Sequence, residues 1–278
     1  MDAVAYAFCS SVLAIIGGCS SIGNQFSSKI WRKAAADEAL KRLTCVLYIA
    51  YEDGVWSYQL KFVGVHFTFS ELKKLEKRHV EKISILSGTL QNRCSFQEIK
   101  VIVKYTLPCV NLTDLLLYET KNFPQGNLLE LVSHYESSIF GKIYAIRNDD
   151  STVEFLLPHL ESDFLKNLIV VGNTCSADLK AAIGEFALNK QCKNLHFDIG
   201  NADFDMPFFE QLFEKRITHN EHYLLYFSVE EAALKEFKKD LRITESELLH
   251  WQREDGVRVG AHCARKMICV QLELQRLS

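Results

Sequence analysis

The chain has no excess of positive charge with which to hold nucleic acid or an anionic membrane surface. Its 278 residues include 32 lysines and arginines and 35 aspartates and glutamates, which gives a formal net charge of −3. Electrostatic attraction to phosphates and to acidic lipids needs a basic surface. We therefore expect no nucleic-acid partner and no membrane partner.

The apolar N-terminus lacks the positive charge that a secretory signal requires. Asp2 is the second residue, and the first lysine or arginine is Lys29. The apolar run is also shorter than the roughly 20 residues of a membrane span. Its large apolar residues recur at helical spacing instead, so we predict an amphipathic helix, with a signal peptide as the alternative.

The cysteines lack the pattern of a disulfide framework. They number nine, which is odd, and no two of them form a C-x-x-C pair. Small secreted domains that depend on disulfides have a denser and usually even set. We predict reduced thiols and a cytoplasmic or nuclear location.

The chain also lacks the short motifs that carry catalysis or hold a cofactor. It has no glycine-rich phosphate loop and no G-x-S-x-G elbow. His219 and His222 have no third ligand nearby in the sequence, which favours a polar turn over a metal site. His196 and Asp198 share one strand face and are either an acid–base pair or, more commonly, two polar groups on an exposed face. We expect no catalytic residue, no metal and no cofactor.

What the chain does contain is the composition of a globular protein, with 48% hydrophobic and 24% charged residues. Residues 1–44 are rich in helix formers and are predicted to be a helical module. Residues 45–278 form the second domain. It opens with two strands, at about 45–51 and 55–63, joined at Asp53-Gly54, a dipeptide suited to a tight hairpin turn. A charged helix is predicted to follow Ser70.

From there the sequence repeats a short apolar strand and a helix. Strands begin near Ile83, Leu115, Ile143, Leu168, Leu195 and Leu224, at intervals of 25 to 32 residues. Three helices are announced by capping boxes, at Ser95-x-x-Glu98, Ser151-x-x-Glu154 and Ser228-x-x-Glu231. Residues after Leu249 offer two further strands, at about 257–262 and 267–274, which we expect to cap the array.

The strands share a finer spacing that is typical of leucine-rich repeats. Residues 165–173, LKNLIVVGN, fit the pattern L-x-x-L-x-L-x-x-N, and residues 112–117, 140–148, 80–85 and 192–197 fit parts of it. The first apolar residue is expected to turn the chain into the strand, and the next two are expected to point inward. The predicted fold is α/β with parallel strand–helix repeats, and an ordinary open parallel sheet is the alternative.

The N-terminal segment resembles an F-box, the helical module that docks onto a Skp1-type adaptor. The likeness rests on Val4-Ala5 at the Leu-Pro position, on apolar residues at helical spacing, and on Lys29-Ile30-Trp31 at the end. The adaptor-binding residues that this implies are Val4, Phe8, Val12, Leu13, Ile16, Ile22, Phe26 and Trp31.

The rest of the chain is similar to the lineage-expanded F-box proteins of nematodes, which carry F-box-associated or FTH-type repeat domains. AYAFCSSVL, WRKAA and WQREDG carry that likeness. It implies a receptor that links a target protein to a Skp1-containing ubiquitin ligase. The alternatives are a leucine-rich-repeat-like scaffold or binding protein without a ligase role and, third, an unrecognised enzyme.

The target site is predicted from the sheet face opposite the core. That face comprises Ser84, Leu86, Leu116, Tyr118, Tyr144, Ile146, Ile169, Val171, His196, Asp198, Leu225 and Phe227. It is mostly apolar, so it is either a protein-binding surface or covered by the N-terminal hairpin or helices. In the first case Tyr118, Tyr144 and Ile169 anchor the target, with His196 and Asp198 at the polar edge. In the second the site moves to the loops Thr120–Gln125, Asn148–Ser151 and Asn173–Ser176.

Overall fold

The computed structural model shows a mixed α/β protein whose chain divides into two compact units. It describes residues 2–16, 27–41, 43–62, 65–74, 78–146, 155–172, 175–189, 192–199, 204–217, 224–228, 249–252, 258–264 and 267–273. The first unit contains residues 1–114 and 137–139, and the second contains residues 115–136 and 140–278. The helical segment predicted for residues 1–44 falls within the first unit, and its separate status as a module stays a prediction.

The first unit begins with two packed helices, α1 (Asp2–Ile16) and α2 (Lys29–Lys41). Cys9 and Leu13 of α1 are buried with Ala34 and Ala35 of α2. The two alanines let the helix backbones approach closely, because a methyl group takes little space. Half-buried Tyr6, Ile30 and Trp31 close the edges of this small core. Ile22 and Phe26, two of the predicted adaptor-binding residues, lie outside the described residues.

A mixed sheet and two further helices complete the first unit. They are β1 (Leu43–Glu52), β2 (Val55–Phe62), β3 (Val65–Phe67), α3 (Phe69–Leu72), β4 (Arg78–Ser87), β5 (Asn92–Cys94) and α4 (Phe96–Thr106), followed by a 3-10 turn at Leu107–Cys109. β1 and β2 form the predicted hairpin, with Asp53 at φ 48° and Gly54 at φ 84° in its turn. β4 lies parallel to β1 on its other side, with Ile83 opposite Leu47.

The helix predicted after Ser70 is shorter than expected. α3 starts after the capping residue Thr68 and ends at Leu72, and β4 has begun by Arg78. The prediction followed charged residues with good helix propensity. Parallel pairing with β1 instead makes β4 begin earlier in the sequence than the helix prediction allowed. Cys45 lies opposite Val80 there, and both are buried. Tertiary pairing overrides the local preference.

The second unit carries the strand–helix repeats. β6 (Val110–Tyr118) starts in the first unit and ends in the second. It is followed by a 3-10 turn at Thr120–Asn122, α5 (Gln125–Ser133), β7 (Phe140–Ile146), α6 (Leu157–Leu160), β8 (Asn167–Gly172), α7 (Ala177–Leu188), β9 (Asn194–Ile199), α8 (Met206–Ile217), β10 (Leu224–Ser228), β11 (Leu249–Gln252), β12 (Arg258–Ala264) and β13 (Met267–Glu273).

The central strands of this unit are parallel, as the repeat predicted. Each strand from β7 to β10 pairs with the next one along the chain. This pairing places four buried residues in one line across the sheet: Ile143, Leu168, Leu195 and Leu225. β10 pairs antiparallel with β13, and β13 with β12, which in turn pairs with β11. The predicted terminal strands therefore continue the sheet beyond β10.

The L-x-x-L-x-L positions point into the core. In β8 and the turn before it these are Leu165, Leu168 and Val170, each no more than 1% exposed. The equivalent buried sets are Phe140, Ile143 and Ala145 for β7, and Cys192, Leu195 and Phe197 for β9. The spacing thus reports the inward face correctly, since alternate strand residues face the same side.

Two residues assigned to the opposite face belong to the core instead. Leu225 and Phe227 are fully buried, because Leu225 lies opposite Leu195 and Phe227 opposite Phe197. The prediction took Leu224, the first residue of β10, as the first inward residue. The inward residues are in fact Leu225 and Phe227, one position later. Phe227 packs among the rings of Phe204, Phe208 and Phe209, with ring centroids 5.3, 5.5 and 5.6 Å away.

Candidate protein-binding surface

Four side chains form a line across the open face of the second unit. Tyr144, Ile169, His196 and Tyr226 occupy equivalent positions in β7, β8, β9 and β10. All four side chains are half-buried. The residues immediately before and after each of them in its strand are buried and point into the core. Neighbouring strands are about 4.8 Å apart, so this sheet row covers roughly 15 Å.

Three of the four side chains in the sheet row carry rings, and the fourth is Ile169. The rings of His196 and Tyr226 lie 5.6 Å apart between centroids at an interplanar angle of 36°. Ile169 lies between His196 and Tyr144 in the register of the sheet. Tyrosine presents a large, stiff contact area and a hydroxyl that can hydrogen bond, which suits it to binding another protein.

A second line of residues borders the sheet row towards the carboxyl ends of the strands. Ile146, Val171 and Asp198 are in register in β7, β8 and β9, and all three are half-buried. Tyr118 of β6 is half-buried as well. The five predicted target-binding residues are thus all partly accessible, and they are neither fully exposed nor part of the core.

The opposite border of the sheet row is polar. The Asn167 side-chain amide donates to the carbonyl of Gly141 at 3.5 Å, and the Asn194 amide donates to Asn167 Oδ1. Lys142 is in register with Asn167 at the same border. These asparagines were not predicted, since the repeat pattern placed its asparagine after the strand, at Asn173, which lies outside the described residues.

The face is closed over in the first unit. In β4, Ile83, Ser84 and Ile85 are each 0% exposed, so this strand is buried on both sides. Ser84 Oγ has no hydrogen-bond partner among the described residues. Ser84 is therefore interior, and the accessible part of the predicted face does not include it. The half-exposed sheet row belongs to the second unit alone.

The alternative loop sites are only partly described. Within Thr120–Gln125, Thr120 and Phe123 are buried, at 0% and 5% exposed. Ser176 caps α7 by accepting a hydrogen bond from the amide of Leu179. Residues 147–154 and 173–174 lie outside the described residues.

The predicted adaptor-binding residues divide between core and surface. Phe8 is 62% exposed and stands edge-on to the ring of Trp31, with centroids 6.3 Å apart. Val12 is half-buried. Leu13 is fully buried between the helices and is a core residue. Val4 and Ile16 lie in α1. As noted above, Ile22 and Phe26 lie outside the described residues.

A buried histidine escaped the sequence predictions altogether. His159 of α6 is 3% exposed and lies against the rings of Phe140 and Phe155, at centroid distances of 5.3 and 4.7 Å. Its Nε2 has no hydrogen-bond partner in the described part of the chain. Burial lowers the pKa of His159 to about 4, because the apolar surroundings disfavour the charged ring.

The described residues do not bring a set of metal ligands together. No group of three or more His, Cys, Asp or Glu side chains there is placed to hold a metal ion. His196 and Asp198 are both half-buried, and the His196 ring lies against that of Tyr226. His219 and His222 lie outside the described residues. None of the described helices has the length and apolar character to cross a membrane.

Comparisons with protein-family models, with curated proteins and with solved structures each returned no match.

Proposed function

We propose that this chain is a protein-binding module whose target lies across the sheet row of Tyr144, Ile169, His196 and Tyr226. The observation that carries the proposal is the register of these half-exposed side chains on four parallel strands. A rigid sheet fixes their spacing before binding, so little conformational entropy is lost when a partner docks. Aromatic anchors on such a surface supply most of the binding energy in protein interfaces.

The finer proposal is a substrate receptor for a Skp1-containing ubiquitin ligase, acting in the cytoplasm or nucleus. Its support is the helix pair α1–α2, which carries exposed Phe8 against Trp31 while Cys9 and Leu13 hold the pair together. The helices then hold the adaptor, and the repeats hold the target. No catalytic step is assigned to this chain, since its role is to bring two proteins together.

The second candidate is a leucine-rich-repeat-like scaffold without a ligase role. It is favoured by the inward L-x-x-L-x-L positions and by the asparagine contacts that join successive strands. In that case the α1–α2 pair serves as a structural cap and binds no adaptor.

Two measurements test these proposals separately. A purified Skp1-type adaptor, titrated against the full chain by isothermal titration calorimetry, binds if the receptor proposal is correct and does not if the protein is a scaffold. A photo-crosslinking residue at Tyr144 should capture one defined partner in cells. The same residue at Leu129, which is 48% exposed on α5, is the control. Equal products from both positions would contradict a target site on the sheet row.

A further inference from the structure

A shallow pocket lies between α1 and α2 at the surface of the first unit. It is lined by Tyr6, Lys29, Ile30 and Lys33 and has a volume of about 290 Å³. Pockets for small molecules run from roughly 300 to 1,000 Å³ and enclose most of the ligand. This pocket is at the lower limit of that range, and because it is shallow it suits one or two side chains of another protein better than an enclosed ligand.

The base of the pocket is apolar and held in place. Tyr6 and Ile30 are half-buried and pack against the small core of the helix pair. The Tyr6 hydroxyl donates a hydrogen bond of 2.5 Å to Asp37 Oδ2, which fixes the tyrosine ring. Because the Asp37 carboxylate accepts this hydrogen bond, its Oδ2 atom lies beside the Tyr6 hydroxyl.

The rim of the pocket is positively charged. Lys29 and Lys33 are one helical turn apart on α2, and both are exposed. The Lys33 ammonium lies 5.9 Å from the centroid of the Tyr6 ring. An apolar base beneath two ammonium groups is complementary to an apolar side chain that has carboxylates beside it.

We propose that this pocket binds an acidic segment of a partner protein, with an apolar side chain against Tyr6 and Ile30 and carboxylates beside Lys29 and Lys33. The inference rests on the proposed docking of an adaptor by the α1–α2 pair, and it specifies the chemistry of the adaptor surface. Tyr6 and Lys33 lie outside the residues that carry the F-box resemblance. Lys29 and Ile30 belong to its Lys29-Ile30-Trp31 ending but not to the adaptor-binding set that it implied.

The test is charge reversal in the full chain. The double variant Lys29→Glu/Lys33→Glu is titrated with a purified Skp1-type adaptor at low and high sodium chloride. The matched control is Lys61→Glu/Lys104→Glu, which makes the same change of net charge at two exposed lysines of the same unit. Lys29→Gln/Lys33→Gln removes the charges without adding new ones, and circular dichroism shows that each variant is folded.

We expect reversal to weaken adaptor binding about 10-fold or more, the Gln pair to weaken it less, and the control pair to leave it unchanged. Wild-type affinity should fall with added salt, and that dependence should be lost in the reversed variant. Adaptor binding that is equal in the reversed and control pairs overturns this inference and leaves the receptor proposal standing. No binding by the wild-type chain overturns both.

Discussion

The side-chain amide of Asn194 donates a hydrogen bond to Asn167 Oδ1 in the next parallel strand. Asn167 in turn donates to the carbonyl of Gly141, so two side chains link the starts of β7, β8 and β9. Parallel strands have no hairpin turn to set their alignment, and a slip by one residue would turn the core face outward. These polar contacts favour the strand register that aligns Tyr144, Ile169 and His196 in the sheet row.

Replacing Asn167 should therefore destabilise the second unit. Asn167→Ala removes the acceptor of Asn194 and the donor to Gly141, and we expect a loss of about 1 kcal/mol, since both bonds lie near solvent. Urea denaturation measures the change, with Asn122→Ala at an exposed position as the control. Equal midpoints for the two variants would show that the asparagine contacts contribute nothing to stability.

The alternation in β8 gives a second prediction. Leu168 is fully buried and Ile169, the next residue, is half-buried. Leu168→Ala leaves a cavity and should cost about 2 to 5 kcal/mol, whereas Ile169→Ala should cost less than about 1.5 kcal/mol. Ile169→Ala should weaken target binding all the same. Comparable losses of unfolding free energy would mean that the sheet row is interior and not a binding surface.

The same strand shows how far the sequence predicts this fold. Leu168 and Val170 were placed inward by spacing alone, and parallel pairing followed from the repeat length. Leu165, expected only to turn the chain into the strand, is buried as well. The spacing of apolar residues gave wrong predictions where pairing with a neighbouring strand determines the secondary structure or the inward face. At β4 a charged segment became strand because β1 offers a partner, and at β10 the phase depended on register with β9.

The candidate site was predictable in its composition but not in its accessibility. Tyr144, Ile169 and His196 were correctly placed on one face, since alternation along a strand is a local property. Whether a face is covered depends on distant elements, which is why Ser84 proved to be buried. Likewise, nothing near His159 in the sequence indicates that Phe140 and Phe155 surround it.

His159 makes the stability of the second unit depend on pH. Its pKa is about 4 in the folded chain against a normal value of 6.5, so folding favours the neutral ring. The associated stability is fully present above pH 6.5 and falls as the pH drops towards 4, by about 2 to 3 kcal/mol at pH 4.5.

His159→Leu should remove that loss. Urea denaturation at pH 7.5 and 4.5 should show a smaller decrease for this variant than for the wild type, with His66→Leu at an exposed position as the control. Carboxylates also titrate in this range, so the comparison with wild type, and not the absolute slope, isolates the histidine. A decrease as large as in the wild type would mean that His159 is solvated in the folded chain.

The last prediction separates docking from folding in the α1–α2 pair. Phe8 is 62% exposed, so Phe8→Asp should lower the free energy of unfolding by no more than about 1.5 kcal/mol, the contribution of its ring contact with Trp31. In a complex the same aspartate would be an unpaired charge at an apolar interface, and we expect adaptor binding to weaken by about 100-fold or more. Val101→Asp, at a valine 53% exposed on α4, is the matched control and should bind normally. If Phe8→Asp binds the adaptor as tightly as Val101→Asp, Phe8 is an ordinary surface residue, and the receptor proposal loses its main structural support.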